Sequence, residues 1–143
     1  MTLTDTFSRV QALLESYCLA FERFDAAAIS EHFSYPGHIA SDGAEVTLIS
    51  IASQQDCIEA VDKVIAMHRQ LGAPSGTMHD LSVTELSPRL AQASLRMEVR
   101  SLAAVRLYDF NATYTVAEIN GSWLIVAISH NQIPRLRACL AHH

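Results

Sequence analysis

The feature that most constrains the fold is the dipeptide Asn120-Gly121, which separates two long β-rich segments near the end of the chain. Residues 106–119 and 122–131 are rich in β-branched and aromatic side chains, which favour strands. A two-residue type I′ turn needs a positive φ at both central residues, and Asn followed by Gly meets that need well. The sequence therefore predicts a long antiparallel hairpin here.

Two helices are predicted before the first strand. Thr4 or Asp5 caps the first helix, and Asp25 caps a short second helix over residues 26–33. A Pro-Gly pair follows the second helix and is expected to end it, because both residues interrupt helices. The first helix has apolar side chains every three or four residues, as one buried face requires: Phe7, Val10, Leu13, Leu14, Tyr17, Cys18, Phe21 and Phe24.

One more helix and a run of strands complete the predicted order. Ser53 caps a helix that extends to about residue 71, with Ile58, Val61, Ile65 and His68 on its inner side. Further strands are predicted at 38–41, 45–51, 77–86 and 91–101, and a short tail helix at 134–141. The main helices thus precede a long antiparallel meander, which is the pattern of the α+β class.

Composition fits a single domain that spans residues 1–143. Half of the 143 residues are hydrophobic and 17% are charged, which suits one buried core and argues against disorder. The 10 Lys+Arg and 15 Asp+Glu residues do not form the basic surface that nucleic acid needs. We find no apolar run of membrane-spanning length and no signal peptide, so we expect a cytoplasmic protein.

The sequence has no pattern typical of a metal or cofactor site. Cys18, Cys57 and Cys139 are widely spaced and form no CxxC pair. A Gly-rich phosphate loop and a nucleophile elbow are also missing. We therefore expect no metal and no cofactor, with Cys18 and Cys57 as small core residues.

The predicted order of elements indicates a cone-shaped fold. A strongly curved, mostly antiparallel sheet with three helices packed on its concave face encloses a cavity. Because half of the residues are hydrophobic, the outer face of the long strands is expected to be partly apolar. We therefore expect a homodimer through that outer face.

Three segments resemble the nuclear transport factor 2-like superfamily, which includes ketosteroid isomerase, scytalone dehydratase and the SnoaL-type polyketide cyclases. They are YCLAFERFD at 17–25, AISEHF at 28–33, and NGSW at 120–123 followed by His130. The resemblance covers about residues 5–132, and DFNATY at 109–114 is most similar to uncharacterised bacterial members. It implies the cone-shaped fold but no single reaction, because this fold hosts enzymes, binding modules and assembly parts.

The resemblance also assigns the roles of ketosteroid isomerase to three positions. That enzyme needs a carboxylate base that abstracts a proton, and a tyrosine donor and a protonated aspartic acid that hold the enolate oxygen. Tyr17 takes the position of the tyrosine, Ser41 that of the base and Thr115 that of the acidic partner. Serine cannot serve as the base unaided, so steroid isomerisation is not expected. Tyr17 is either a core residue or a hydrogen-bond donor in the cavity.

His130 is the leading candidate for acid–base chemistry, because histidine suits proton transfer near neutral pH. It ends the last long strand and shares side-chain parity with Val126 and Ile128. These residues are expected to line the concave face if Trp123 and Ile125 face the other way. His130 is then either a pocket residue near the cavity mouth or a histidine at the rim.

The other histidines are weaker candidates. His79 shares parity with Leu81 and Val83, an apolar face that is either core or cavity. His32 and His68 lie at predicted helix ends, where a histidine favours the helix dipole, so we interpret both as structural.

Strand 106–119 alternates cleanly between a polar and an apolar face. The polar face carries Asp109, Asn111, Thr113 and Thr115, and the apolar face carries Tyr108, Phe110, Ala112, Tyr114 and Val116. Either the polar face meets solvent or a dimer seam, or it lines the cavity, where Asp109 is a buried carboxylate with a raised pKa.

Two functional hypotheses follow. In the first, the protein is a cofactor-independent isomerase, cyclase or dehydratase acting on a small hydrophobic molecule. His130 or Asp109 then transfers protons, and Tyr17 polarises an oxygen. In the second, motivated by the serine in the base position, it is a non-catalytic ligand-binding or dimerisation module. A docking subunit of a larger complex is a third hypothesis. The candidate ligand-binding residues are Ser41, His79, Met97, Tyr114 and Thr115.

Overall fold

The computed structural model describes residues 3–72 and 74–142, which form four helices and six strands. The helices are α1 (Leu3–Glu22), α2 (Ala26–Ser30), α3 (Gln54–Gln70) and α4 (Gln132–Ala141). The strands are β1 (Phe33–Asp42), β2 (Val46–Ile51), β3 (Ser75–Ser87), β4 (Leu90–Arg100), β5 (Arg106–Ile119) and β6 (Ser122–His130).

The six strands form one open sheet in the order β2-β1-β6-β5-β4-β3. Neighbouring strands are antiparallel except β1 and β6, which are parallel. Register shifts interrupt four of the five strand pairs, and such bulges bend a sheet and increase its twist. The helices pack against the curved sheet, so the predicted α+β fold class is confirmed. None of the helices in the described ranges is long and apolar enough to cross a membrane.

The helix α1 forms because its apolar residues fall on one face, and that face is buried against the sheet. Val10 and Leu14 are almost fully buried, as the three-and-four spacing predicts. The sheet supplies Val116 and Ile125, which are also fully buried. Each such side chain contributes about 1.5–3 kcal/mol to stability through removal of apolar surface from water.

Two predicted helix caps are present. The Asp25 carboxylate accepts a hydrogen bond from the Ala28 N–H at 3.0 Å, and the Ser53 hydroxyl accepts one from the Asp56 N–H at 3.2 Å. The first helix begins at Leu3, so Asp5 lies inside its first turn and is not its cap. The side chain of Thr4, the other predicted cap, lies outside the described part of the structure.

The predicted end of the second helix is wrong, because the strand β1 begins earlier than expected. α2 ends at Ser30, and Phe33 already pairs with Ile125 of β6. Pro36, which follows a cis peptide bond, lies inside β1 where the register with β6 shifts. A proline is tolerated in a paired strand at such an irregularity, since no ladder hydrogen bond is lost there.

A bulge in β6 changes which side chains share a face. Val116 pairs with Ile125 and Thr115 pairs with Ala127, so one residue of β6 is unmatched. Trp123, Ile125 and Ile128 are consequently all buried on the helix-covered side. The expectation that Trp123 and Ile125 face away from Ile128 is wrong, because it assumed an unbroken two-residue period.

A second bulge, in β3, reverses the predicted orientation of His79. Asp80 has a φ of 58°, and the register shifts between His79 and Ser82. His79 pairs with Arg96 on the outer face, whereas Leu81 packs against the core. The prediction that His79 shares an apolar face with Leu81 is therefore wrong.

The outer face of the sheet is polar at its centre. Asp109, Asn111, Thr113 and Thr115 of β5 lie on it, while the alternate residues from Tyr108 to Val116 are buried beneath the helices. Their outward-facing partners on β4 are also polar: Gln92, Ser94, Arg96 and Glu98. The expectation of a partly apolar outer face does not hold here, because the apolar residues of these strands are on the helix side.

The turn of the β5–β6 hairpin provides a test of this local structure. Asn120 and Gly121 have φ values of 52° and 85°, which confirms the predicted left-handed turn. Gly121→Ala is expected to lower the free energy of unfolding by about 1 kcal/mol, because a Cβ disfavours that backbone region. Urea denaturation measures the change.

Gly43→Ala is the matched control. Gly43 also lies in a hairpin turn, but its φ is not positive, and an added Cβ meets only the Glu45 carbonyl oxygen at an ordinary 3.6 Å. It is expected to unfold close to the wild type. Equal unfolding curves for the two variants would show that the β5–β6 turn does not depend on the left-handed conformation.

Candidate functional site

A cavity of about 70 Å³ lies between α1, the end of α3, and the strands β3 to β5. Most of its wall is apolar, with Phe21, Phe24, Met97, Val99 and Phe110 as the large contributors. The polar groups on the wall include the side chains of Tyr17, His68, Tyr114 and Gln132. An apolar pocket with a few polar groups is the usual form of a small-molecule site.

The rings of Tyr17 and Tyr114 meet edge to face on the cavity wall, and both hydroxyls have unused hydrogen-bonding capacity. Their ring centroids are 6.0 Å apart at an interplanar angle of 76°. Within residues 3–72 and 74–142, neither hydroxyl has a hydrogen-bond partner. Burial raises the pKa of both phenols, so both remain protonated at neutral pH and can donate.

His68, Tyr108 and Gln132 form a hydrogen-bonded chain beside the cavity. The His68 Nε2 lies 2.6 Å from the Tyr108 hydroxyl, and the Gln132 side-chain amide donates to the same hydroxyl at 3.2 Å. Burial lowers the pKa of His68 to about 4, so its imidazole is neutral at pH 7 and Nε2 can accept the Tyr108 proton. This chain joins α3, β5 and α4 and holds His68 and Gln132 at the cavity wall.

The structure brings three of the predicted site residues together. Tyr17, Met97 and Tyr114 all line the cavity. Met97 also lies against Gly76, where an added Cβ would come within 2.9 Å of its sulfur. Gly76 thus leaves room for Met97 at the cavity wall.

His130 and Ser41 lie side by side outside the cavity lining. They are paired neighbours on β6 and β1, on the face that the helices cover. The Gln132 backbone N–H donates to the His130 Nδ1 at 3.1 Å, so Nε2 carries the ring proton. Burial lowers the pKa of His130. Gln132, and not His130, is the residue from this end of the sheet that reaches the cavity.

Asp109 lies on the outer face in a cluster of arginines. Arg135 and Arg106 approach its carboxylate at 2.8 and 3.2 Å, and Arg96 lies at 3.6 Å. Desolvation alone would raise the Asp109 pKa, but the Arg135 hydrogen bond and the neighbouring positive charges outweigh it, so the pKa is lowered. Of the two alternatives for the polar face of β5, the one with Asp109 as a cavity carboxylate of raised pKa is wrong, because β5 turns that face outward.

The two other outer-face candidates, His79 and Thr115, are also absent from the cavity lining. His79 Nε2 lies 3.7 Å from the Glu98 carboxylate, which Arg100 and Arg96 also approach. Thr115 pairs with Gln92 of β4 on this face.

Sequence reasoning missed the three residues of the hydrogen-bonded chain beside the cavity. His68 lies on the inner face of α3, as its spacing from Val61 and Ile65 indicates, and this signal was available. The position of His68 near the end of that helix led instead to its interpretation as a structural residue. Tyr108 and Gln132 had no comparable signal, because their contact depends on how α4 folds back along β5.

The arrangement suits hydrogen-bond donation better than proton abstraction. Two groups on the described wall are candidate proton acceptors. Glu22 is exposed, and the pKa of about 4 makes His68 a weak base. Among the described residues, no group of three or more His, Cys, Asp or Glu side chains could hold a metal ion.

The buried neutral state of His68 predicts a pH dependence of stability. The His68 pKa of about 4 in the folded state lies below the ordinary value of 6.5, so protons bind the unfolded chain more tightly. The stability contribution is complete above pH 6.5 and is lost as the pH falls toward 4. At pH 5 the loss is on the order of 2 kcal/mol.

The variant His68→Gln is expected to lack this part of the acid sensitivity, as measured by urea unfolding at pH 7.5 and pH 5. The control His38→Gln replaces an exposed histidine of β1 and should keep the wild-type pH dependence. An undiminished loss of stability between these pH values in His68→Gln would contradict the assignment.

Comparison with solved structures finds the same fold in bacterial proteins. A nuclear transport factor 2-like protein of unknown function from Pseudomonas putida KT2440 has a TM-score of 0.75 at 14% identity, with 92% of this chain and 89% of that chain covered. A protein of unknown function from Mycobacterium tuberculosis has a TM-score of 0.73 at 18% identity, over 99% and 90% of the two chains. A protein from Novosphingobium aromaticivorans, described as NTF2-like with a cystatin-like fold, has a TM-score of 0.72 at 17% identity, over 96% and 90%. At these identities the likeness concerns the fold alone.

Sequence comparison identifies the family. A search of curated protein sequences finds no match. The model of the family described as NTF2-like protein (DUF6841) matches residues 6–132, which is most of the chain. This protein therefore belongs to that nuclear transport factor 2-like family.

Proposed function

We propose that this protein binds a small, largely apolar molecule that carries a hydrogen-bond-accepting oxygen. The observation that carries the proposal is the pair of unpartnered phenol hydroxyls, Tyr17 and Tyr114, on the wall of an apolar cavity. Neither hydroxyl is among the fully buried polar atoms without a partner, so both reach the open space of the cavity. A ligand oxygen that accepts from one or both of them gains a neutral hydrogen bond, worth about 0.5–1.5 kcal/mol, while its carbon atoms contact Phe110 and Met97.

The size and charge of the cavity narrow the class of ligand. Its volume of about 70 Å³ is well below the roughly 300–1,000 Å³ of sites for drug-sized molecules. The described wall contains no lysine or arginine, and Glu22 lies at its margin. A neutral carbonyl compound of few heavy atoms is therefore favoured over a carboxylate, which Glu22 would repel.

Binding is favoured over catalysis because the enzyme hypothesis needs a base near the ligand. Asp109 is on the opposite face of the sheet, and His130 lies outside the cavity lining. Glu22, the carboxylate on the described wall, is an exposed residue at the margin of the cavity. Tyr17 can still polarise a ligand oxygen, so slow proton exchange at the carbon next to a bound carbonyl is the activity to test.

Self-association remains a separate proposal. A homodimer was expected through an apolar outer face, but the centre of that face carries polar side chains and the Asp109–arginine cluster. Light scattering at micromolar protein concentrations tests it, and a strictly monomeric protein would contradict it.

The two tyrosines predict a loss of binding without a loss of stability. Tyr17→Phe and Tyr114→Phe are each expected to weaken binding of 2-butanone about 3–10-fold, the equivalent of one neutral hydrogen bond. NMR titration measures the affinity. In the ligand-free protein, the same variants should unfold at about the wild-type urea concentration, because neither hydroxyl has a hydrogen bond to another described residue to lose.

Tyr35→Phe is the matched control, because the Tyr35 hydroxyl donates to the Ser30 carbonyl at 2.6 Å and lies outside the cavity lining. It should lose stability and keep its affinity for 2-butanone. The hydrocarbon 2-methyl-1-butene, which has CH₂ in place of the oxygen, should bind all four proteins equally. Equal affinity of the wild type for the ketone and the alkene would exclude the proposed role of the hydroxyls.

The same samples in D₂O separate binding from catalysis. Deuterium that enters 2-butanone faster with the wild type than with Tyr17→Phe would favour an enzyme. Binding without such exchange would favour the ligand-binding module.

A further inference from the structure

The strand β2 exposes large apolar side chains at an open edge of the sheet. It is the first strand in the sheet order, so only β1 pairs with it and its other backbone edge is free in the described structure. Val46, Leu48 and Ile49 are 63%, 79% and 42% exposed. Because successive residues of a strand point to opposite faces, both faces of β2 are uncovered over residues 46–50.

The composition of β2 does not protect this edge. Proteins usually block exposed edges with charged residues, proline or a bulge. β2 has none of these over Val46–Ile51, and its register with β1 is uninterrupted from Gly37–Ile51 to Asp42–Val46. The opposite edge, β3, differs because it is bulged near Asp80 and carries charged side chains. β2 is therefore the edge that is free to accept another strand.

We propose that β2 pairs antiparallel with β2 of a second copy, about a two-fold axis at Leu48. A two-fold contact between identical strands places the same residue opposite itself at the axis. Leu48 lies at the centre of the exposed segment 46–50, so this register gives the longest overlap of uncovered strand. Leu48 then contacts its copy, and Val46 lies opposite Ser50. The two sheets become one continuous sheet.

The composition of β2 suits a second copy as the partner. β2 carries no charge, so two copies do not repel each other along the strand. In the antiparallel register, Asp42 and Glu45 of one copy lie toward the other copy's α3 N-terminus, where Asp56 offsets the positive end of the helix dipole, so these end charges do not add attraction. The contact closes on itself, because each copy uses the sheet edge that is unprotected in the described structure.

The expected association is weak and independent of the cavity. A six-residue strand pair buries less than the roughly 1,200 Å² of a stable interface, so the dimer exchanges rapidly and is populated at high protein concentration. Residues 46–50 are absent from the cavity lining, so ligand binding and self-pairing can fail separately.

A cysteine at the axis tests the proposal. In an antiparallel pair the Cα atoms of opposite residues are about 4.5–5.5 Å apart, within the range that a disulfide spans. With oxidised glutathione as the electron acceptor, two Leu48→Cys thiols lose their protons and form one intermolecular disulfide. The expected result is a covalent dimer on a non-reducing gel that disappears with dithiothreitol.

Two controls separate this contact from random collision. Leu102→Cys places a thiol on a side chain that is 85% exposed, in the loop between β4 and β5. It should cross-link at least tenfold more slowly than Leu48→Cys. The wild type gives the background from Cys18, Cys57 and Cys139, which are partly or fully buried. Mixed Val46→Cys and Ser50→Cys proteins should form a heterodimer, whereas neither variant alone should cross-link efficiently.

A second variant tests the same edge without an added thiol. Light scattering of the wild type is expected to show a mass that increases with protein concentration. Leu48→Lys places a charge on the edge and should abolish that increase. Equal cross-linking of Leu48→Cys and Leu102→Cys would overturn the proposal. A dimer that persists in Leu48→Lys would also overturn it and would move the contact to the outer face. A protein whose β2 binds an extended peptide while Leu48→Cys forms no disulfide with its copy would also overturn the proposal. That result would assign the edge to another protein.

Discussion

The packing of α1 against the concave face of the sheet is the interaction on which the rest of the structure depends. Tyr17 is at its centre, with edge-to-face contacts to Phe21, Phe33 and Tyr114 at centroid distances of 5.2, 5.9 and 6.0 Å. These contacts join the first helix to β1 and β5, which lie far apart in sequence. Edge-to-face pairs contribute about 0.5–1.5 kcal/mol beyond the apolar area they bury. The cavity lies beside these rings, with Tyr17, Phe21 and Tyr114 on its wall.

The two faces of β5 have different surroundings. The inner face lines the candidate binding cavity, and the outer face carries polar and charged side chains. The inner face presents Tyr114 to the cavity, where its hydroxyl has no partner among the described residues and can donate to a ligand oxygen. The outer face presents Asp109 to three arginines, but those side chains are about half exposed. Solvent screens such pairs, so their contribution to stability is small. The orientation of β5 thus explains why its polar face is not part of the candidate binding site.

Local residue types were enough to predict the fold but not the membership of the site. The caps at Asp25 and Ser53, the α1 face and the hairpin turn follow from short-range rules, and the structure has them all. Two bulges then altered side-chain parity, which changed the expected surroundings of His79 and Trp123. A bulge is a response of the whole sheet to curvature, and neither bulged segment contains the glycine that commonly marks one.

The sequence by itself determined the order of elements, the α+β class and the family, because these depend on periodicity, caps and turn residues that act over a few positions. Only the tertiary structure decided which polar groups meet. His68, Tyr108 and Gln132 come from three separate elements, and their hydrogen bonds exist because α4 folds back beside β5 and the end of α3. Tyr17 and Tyr114 are 97 positions apart (114 − 17), and their unpaired hydroxyls become neighbours only when α1 packs on the curved sheet. Contacts over such separations are set by the packing of the whole core, which no local pattern in the chain records.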